Sequence, residues 1–126
     1  MNISEAAEKY GITPATLRYY EKEGLLPPVT RNQAGNRDFN DDDLNWIEFI
    51  KCMRDAGLSV ESLARYSKLY QEGEETLVER KEILDEEYQK LLEKQRFMND
   101  TVARLEKKLA FYENEIMQAG KVGARE

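Results

Sequence analysis

From Thr76 to Ala119 the chain contains no glycine and no proline, and its composition favours helix throughout. The expectation is one continuous helix of about 65 Å at roughly 1.5 Å per residue. Leu77, Leu84, Leu91, Met98, Leu105 and Tyr112 recur at every seventh position, and Lys81, Tyr88, Gln95, Val102, Leu109 and Ile116 each follow four residues later. That spacing, sustained over six repeats, is a coiled-coil seam, and a seam needs a second helix. The dimerisation residues it predicts are Leu77, Leu84, Tyr88, Leu91, Met98, Val102, Leu105, Leu109, Tyr112 and Ile116. A parallel, in-register pair stacks Lys81 on its own copy, which is unfavourable. An antiparallel pair centred near Gln95–Met98 sets Lys81 against Tyr112 of the partner subunit, Arg80 against Glu115 and Glu87 against Lys108. The antiparallel homodimer is therefore preferred.

The residues before this helix are punctuated differently. Ser4 is placed to cap a first helix carrying Ala6, Ala7 and Tyr10, closed by Gly11. Thr13 caps a second, Pro14 falls at its first position and Gly24 ends it. The two form a tight helix-turn-helix. The second helix, read from TLRYYEKEGL, carries Arg18, Tyr19 and Lys22 to one side and Leu17 and Tyr20 to another. An arginine fork can take guanine O6 and N7 together, while tyrosine and lysine hold phosphates, so this helix suits a major groove. Leu17 and Tyr20 read as core. Beyond Leu25-Leu26-Pro27-Pro28, the stretch 30–40 has turn chemistry at Gly35-Asn36 between two short arms, a β-wing flanked by Arg31 and Arg37. Asn40 caps a third helix with Leu44, Ile47, Ile50 and Met53 at helical spacing, and Ser59 caps a fourth that Gly73 ends. Asp41, Asp42 and Asp43 complement the dipole of the third helix rather than converge on a metal.

The organisation expected is a DNA-binding domain over 1–75, a dimerisation helix over 76–119 and a flexible tail over 120–126. The fold class is all-α with a small β-wing: a winged helix-turn-helix followed by a long antiparallel coiled-coil helix.

Composition narrows function mainly by exclusion. There is no histidine, which removes Ser-His, Cys-His and His-liganded metal chemistry, and no glycine-rich phosphate loop. An enzyme, a bound metal and a cofactor are not expected. No apolar run approaches the roughly 20 residues a bilayer span requires, and the lone Cys52 suits a reducing compartment, so a cytoplasmic protein without membrane contact is expected. The net charge of −6 is unhelpful for a DNA binder, but residues 1–40 hold five bases and five acids and are balanced. The excess acid lies in 41–75, with nine acids and four bases. DNA binding is then expected to depend on a dimer that doubles the contacts.

Together, Thr16-Leu17-Arg18-Tyr19-Tyr20-Glu21, Gly24-Leu25, Arg31 with Gly35-Asn36-Arg37-Asp38-Phe39, Asp43-Leu44 and Gly57-Leu58-Ser59 resemble the MerR family of bacterial transcription regulators over nearly the whole chain. Asn36 and Phe39 stand where tyrosine is common in that family. The resemblance implies a homodimer on double-stranded promoter DNA with an overlong spacer, which it bends and untwists so that RNA polymerase can engage both promoter elements. It also implies base contact by Arg18, backbone contact by Tyr19 and phosphate contact by Arg31 and Arg37. Thr13, Thr16 and Lys22 complete the DNA-facing set.

Two readings stand for Cys52. Free cysteine often merely packs, and Glu48 and Asp55, its helical neighbours, disfavour a thiolate. The chain nevertheless resembles the small single-cysteine subgroup that responds to aldehydes and other reactive electrophiles under stress, which makes Cys52 the effector-sensing candidate. A rival for the whole chain is a winged-helix, coiled-coil adaptor that binds a protein rather than DNA.

Overall fold

The computed structural model describes residues 1–125, with side chains through Gly120. The chain divides into two units, Met1–Glu87 and Tyr88–Glu126. Its elements are α1 (Ile3–Lys9), α2 (Pro14–Lys22), α3 (Asp41–Asp55), α4 (Val60–Glu72), a 3-10 turn (Glu74–Thr76) and α5 (Leu77–Arg125).

In the first unit the helix starts are fixed by side-chain caps, each contributing about 1 kcal/mol. Thr13, Asn40 and Ser59 cap α2, α3 and α4 as expected. The first helix differs. Asn2, not Ser4, is its cap, because Asn2 and Glu5 form a reciprocal capping box that satisfies two backbone donors at once. Ser4 then falls inside the first turn. At the end of α2, Leu25 N–H donates to Tyr20 O and Gly24 N–H to Glu21 O. This Schellman arrangement requires the left-handed backbone Gly24 adopts, φ 75°. It turns the chain so that Leu25 and Leu26 enter the core.

The core joins Leu17 and Tyr20 of α2 to Leu25, Leu26 and Phe39, to Leu44, Ile47 and Ile50 of α3, and to Leu58 and Leu63. Met53, expected with the α3 residues, is only half-buried. Ile83 of α5 also lies in this core and Glu87 is buried with it, accepting from the Ser62 hydroxyl at 2.8 Å. The opening turns of α5 therefore pack as part of the first unit. Ahead of them, Thr76 Oγ1 donates to Leu69 O and Arg80 reaches Gly73 O and Thr76 Oγ1, so the α4–α5 junction is closed by polar contacts.

The wing is smaller than a pair of strands: among the described residues its β-structure is the single antiparallel bridge Arg31–Arg37. Asn32 does much of the shaping, its side-chain oxygen accepting from both Ala34 N–H and Asn36 N–H.

In the second unit, α5 runs on to Arg125, past the end expected near Ala119. Of the expected tail, 120–126, the side chains from residue 121 on lie outside the described residues. Among the described side chains of this unit, Met98, Val102, Leu105, Leu109, Tyr112 and Ile116 are each between 52% and 70% exposed. No helix among the described residues is long and apolar enough to cross a membrane.

Candidate nucleic-acid interface

Burial divides α2 cleanly. Leu17 and Tyr20 face the core, while Ala15, Arg18, Tyr19 and Lys22 are exposed. The exposed set has the spacing i, i+3, i+4, i+7, one continuous face of a helix. Ala15 is the member that attention to charged and aromatic residues misses. Its small side chain leaves room for close approach, and alanine suits contact with a thymine methyl. Burial and the nearby Asp55 carboxylate push the Tyr20 phenol above its usual value, consistent with a packing role.

Thr13 and Thr16 are occupied locally. Thr16 N–H donates to Thr13 Oγ1 at 3.1 Å, and the two hydroxyls are 2.9 Å apart. Both lie at the N-terminal end of α2, Thr13 exposed and Thr16 half-buried.

Beside this face stands the wing. Arg31 and Arg37 are its bridged pair, and like charges directly opposite repel. Each has an acceptor that relieves the strain. Arg31 Nη1 donates to Gly35 O at 3.0 Å, and Arg37 Nε donates to Glu21 Oε1 at 2.6 Å. The second contact pins the wing to α2. It also neutralises a carboxylate next to the candidate DNA-facing surface, where an unpaired acid repels phosphate. Arg31 is exposed and Arg37 half-buried, so the two wing cations are not equivalent. The wing base is anchored again where Phe39 N–H donates to Met1 O at 2.7 Å, and at the start of α3, where Asn40 Nδ2 donates to Thr30 Oγ1.

Residues 1–69 match the MerR HTH family regulatory protein family. The chain belongs to the MerR family. It is 56% identical over 84 residues to the HTH-type transcriptional regulator AdhR of Bacillus subtilis, a match covering 67% of this chain and 60% of that one. Among solved MerR structures, a protein of Listeria monocytogenes superposes with a TM-score of 0.90 at 42% identity, covering 96% of this chain and 92% of that one. HiNmlR, a MerR family regulator lacking the sensor domain and bound to promoter DNA, superposes with a TM-score of 0.81 at 36% identity over 90% of each chain. The MerR-family helix-turn-helix, wing and long terminal helix expected from the residues are thus the fold observed.

Cys52 sits exposed on α3. Cys52 is therefore not part of this protomer's own core. Asp55, one of its two acidic neighbours, is held by Lys51 at 2.8 Å, and that hydrogen bond raises the Lys51 ammonium pKa. Among the described residues, no group of three or more His, Cys, Asp or Glu is placed to hold a metal. Asp43, inside the Asp41–Asp43 run, is spent on backbone, accepting from Asn40 N–H and Thr30 N–H.

Proposed function

We propose that the chain is a sequence-specific, homodimeric transcription regulator that distorts promoter DNA for RNA polymerase. The observation that carries this reading is the one-sided exposure of Arg18, Tyr19 and Lys22 on a capped helix whose neighbouring wing is pinned by Arg37–Glu21. Each protomer presents that pair of elements to one half-site. Arg18 reads a base edge, Tyr19 and Lys22 hold the backbone, and Arg31 and Arg37 grip phosphates from the wing. The heptad positions from Leu77 to Ile116 join two protomers antiparallel. Cys52 is the switch: an exposed thiol whose thiolate adds to an electrophilic carbon, in keeping with the resemblance to the aldehyde-responsive subgroup.

The DNA reading is tested by a gel shift on the protein's own upstream duplex against a scrambled duplex across salt. Preferential retention that weakens steeply with salt is expected. Equal retention of both duplexes sinks it and leaves the adaptor. The switch is tested separately by promoter induction with formaldehyde, methylglyoxal or a quinone. Cys52→Ala abolishes induction if the thiol senses, and equal induction in both proteins removes Cys52 from the account.

A further inference from the structure

The N-terminal tip of α2 offers less polar chemistry than its residues suggest. Thr13 Oγ1 accepts from Thr16 N–H, and the two hydroxyls stand 2.9 Å apart, so they satisfy one another. Thr16 is half-buried, and so is Pro14, which has no N–H to offer. The residue left facing outward between them is Ala15. It shares the exposed face of Arg18, Tyr19 and Lys22 but carries no side-chain group that hydrogen-bonds. In a helix-turn-helix the N-terminal residues of the second helix meet the base edges. A bare methyl in that place has one apolar feature of the major groove to meet, the C5-methyl of thymine.

We infer that Ala15 is a specificity-determining residue that reads a thymine C5-methyl in each half-site, an inference that rests on the sequence-specific DNA reading proposed above. The helix fixes where that thymine lies. Ala15 and Arg18 are separated by about 4.5 Å along the axis, at roughly 1.5 Å per residue. One step along a DNA strand is about 3.4 Å, so the thymine lies within about two base pairs of the base that Arg18 reads. The face then divides its work. Arg18 supplies hydrogen bonds to a base edge, while Ala15 meets a group that hydrogen bonds do not detect. Tyr19 and Lys22, later on α2, hold the backbone. Discrimination against cytosine follows directly. Cytosine lacks the methyl and turns its N4 amino group toward a side chain with no acceptor, which leaves a donor unpaired.

The test replaces single thymines of the protein's own upstream duplex by deoxyuridine, which removes the C5-methyl and keeps the pairing edge. Affinity is read by fluorescence anisotropy. One such replacement in each half-site is expected to weaken wild-type binding about 4-fold, the worth of one methyl group taken out of water. That thymine should lie within about two base pairs of the position where Arg18→Ala loses base discrimination. In Ala15→Gly the thymine and deoxyuridine duplexes should bind alike; glycine weakens α2 for both equally, so only their ratio is read. Should Ala15→Gly fail to fold, Ala15→Asn, which puts an amide where the methyl stood, is read the same way. Three results overturn the assignment while leaving specific binding intact. They are a wild type indifferent to every replacement, a sensitive thymine only outside that window, and a variant that keeps the full thymine preference. A wild type that retains the upstream duplex no better than a scrambled one overturns the DNA reading as well.

Discussion

Leu17 and Leu105 are the same residue at helical spacing in the same chain, yet one is fully buried and the other is 58% exposed. Leu17 belongs to a unit whose helices and wing cover one another. Leu105 belongs to a unit whose apolar positions Met98, Val102, Leu105, Leu109, Tyr112 and Ile116 stay open. The contrast teaches that helical periodicity states which face is apolar and not what covers it. For the core of Met1–Glu87, to which Leu17 belongs, the cover is intramolecular. In Tyr88–Glu126 it must be supplied from outside, because an exposed stripe of this length is costly in water.

The largest effect expected from breaking this contrast comes from putting a charge in the open seam. Leu105→Lys should give a monomer by sedimentation and lower affinity for the operator by at least about 100-fold, since two linked half-site contacts become one. A folded Leu105→Lys dimer would contradict the seam. Next in size is Arg18→Ala, which leaves the dimer intact. If the side chain reads a base bidentately, affinity for the specific duplex falls roughly 5- to 150-fold per half-site while binding to scrambled DNA changes little. An equal loss on both duplexes would reassign Arg18 to phosphate.

The wing gives a smaller and more discriminating effect. Arg37→Ala removes a cation and bares Glu21, whereas Arg37→Ala with Glu21→Gln removes the bared carboxylate as well. The double variant should bind DNA more tightly than Arg37→Ala alone, and a titration showing additive losses would refute the pairing's role. The smallest effect is at Tyr20. Burial raises its phenol above 10.0, so the folded state holds that proton more tightly than the unfolded chain. The stability involved is intact below the unfolded value and is lost as pH climbs through the raised folded value. Thermal melts at about pH 9 and about pH 11 should differ less in Tyr20→Phe than in wild type.

Much of this was legible in the residues because it is local. Thr13, Pro14 and Gly24 define α2 within a dozen positions, and the alternation of Leu17 and Tyr20 with Arg18 and Tyr19 separates core from surface. What escaped is tertiary or a choice between equals. Ser4 and Asn2 are both good caps, and only the pairing with Glu5 selects Asn2. Arg37 reaches Glu21 across sixteen residues, a contact no helical spacing encodes. Ile83 and Glu87 lie outside the heptad seam, so reading the seam alone hid the face α5 turns to the first unit. For the same reason Arg80 looked free for a partner when the α4–α5 junction already uses it.

The central claim is that the α2 face reads DNA only as one of two linked copies. Its most direct test is a fluorescence anisotropy titration of the upstream duplex with wild type and Leu105→Lys, with stoichiometry taken above saturation. The account predicts two protomers per site for wild type and a large loss of affinity for the folded monomer. A Leu105→Lys monomer that binds the same duplex as tightly as wild type, one protomer per site, would contradict it.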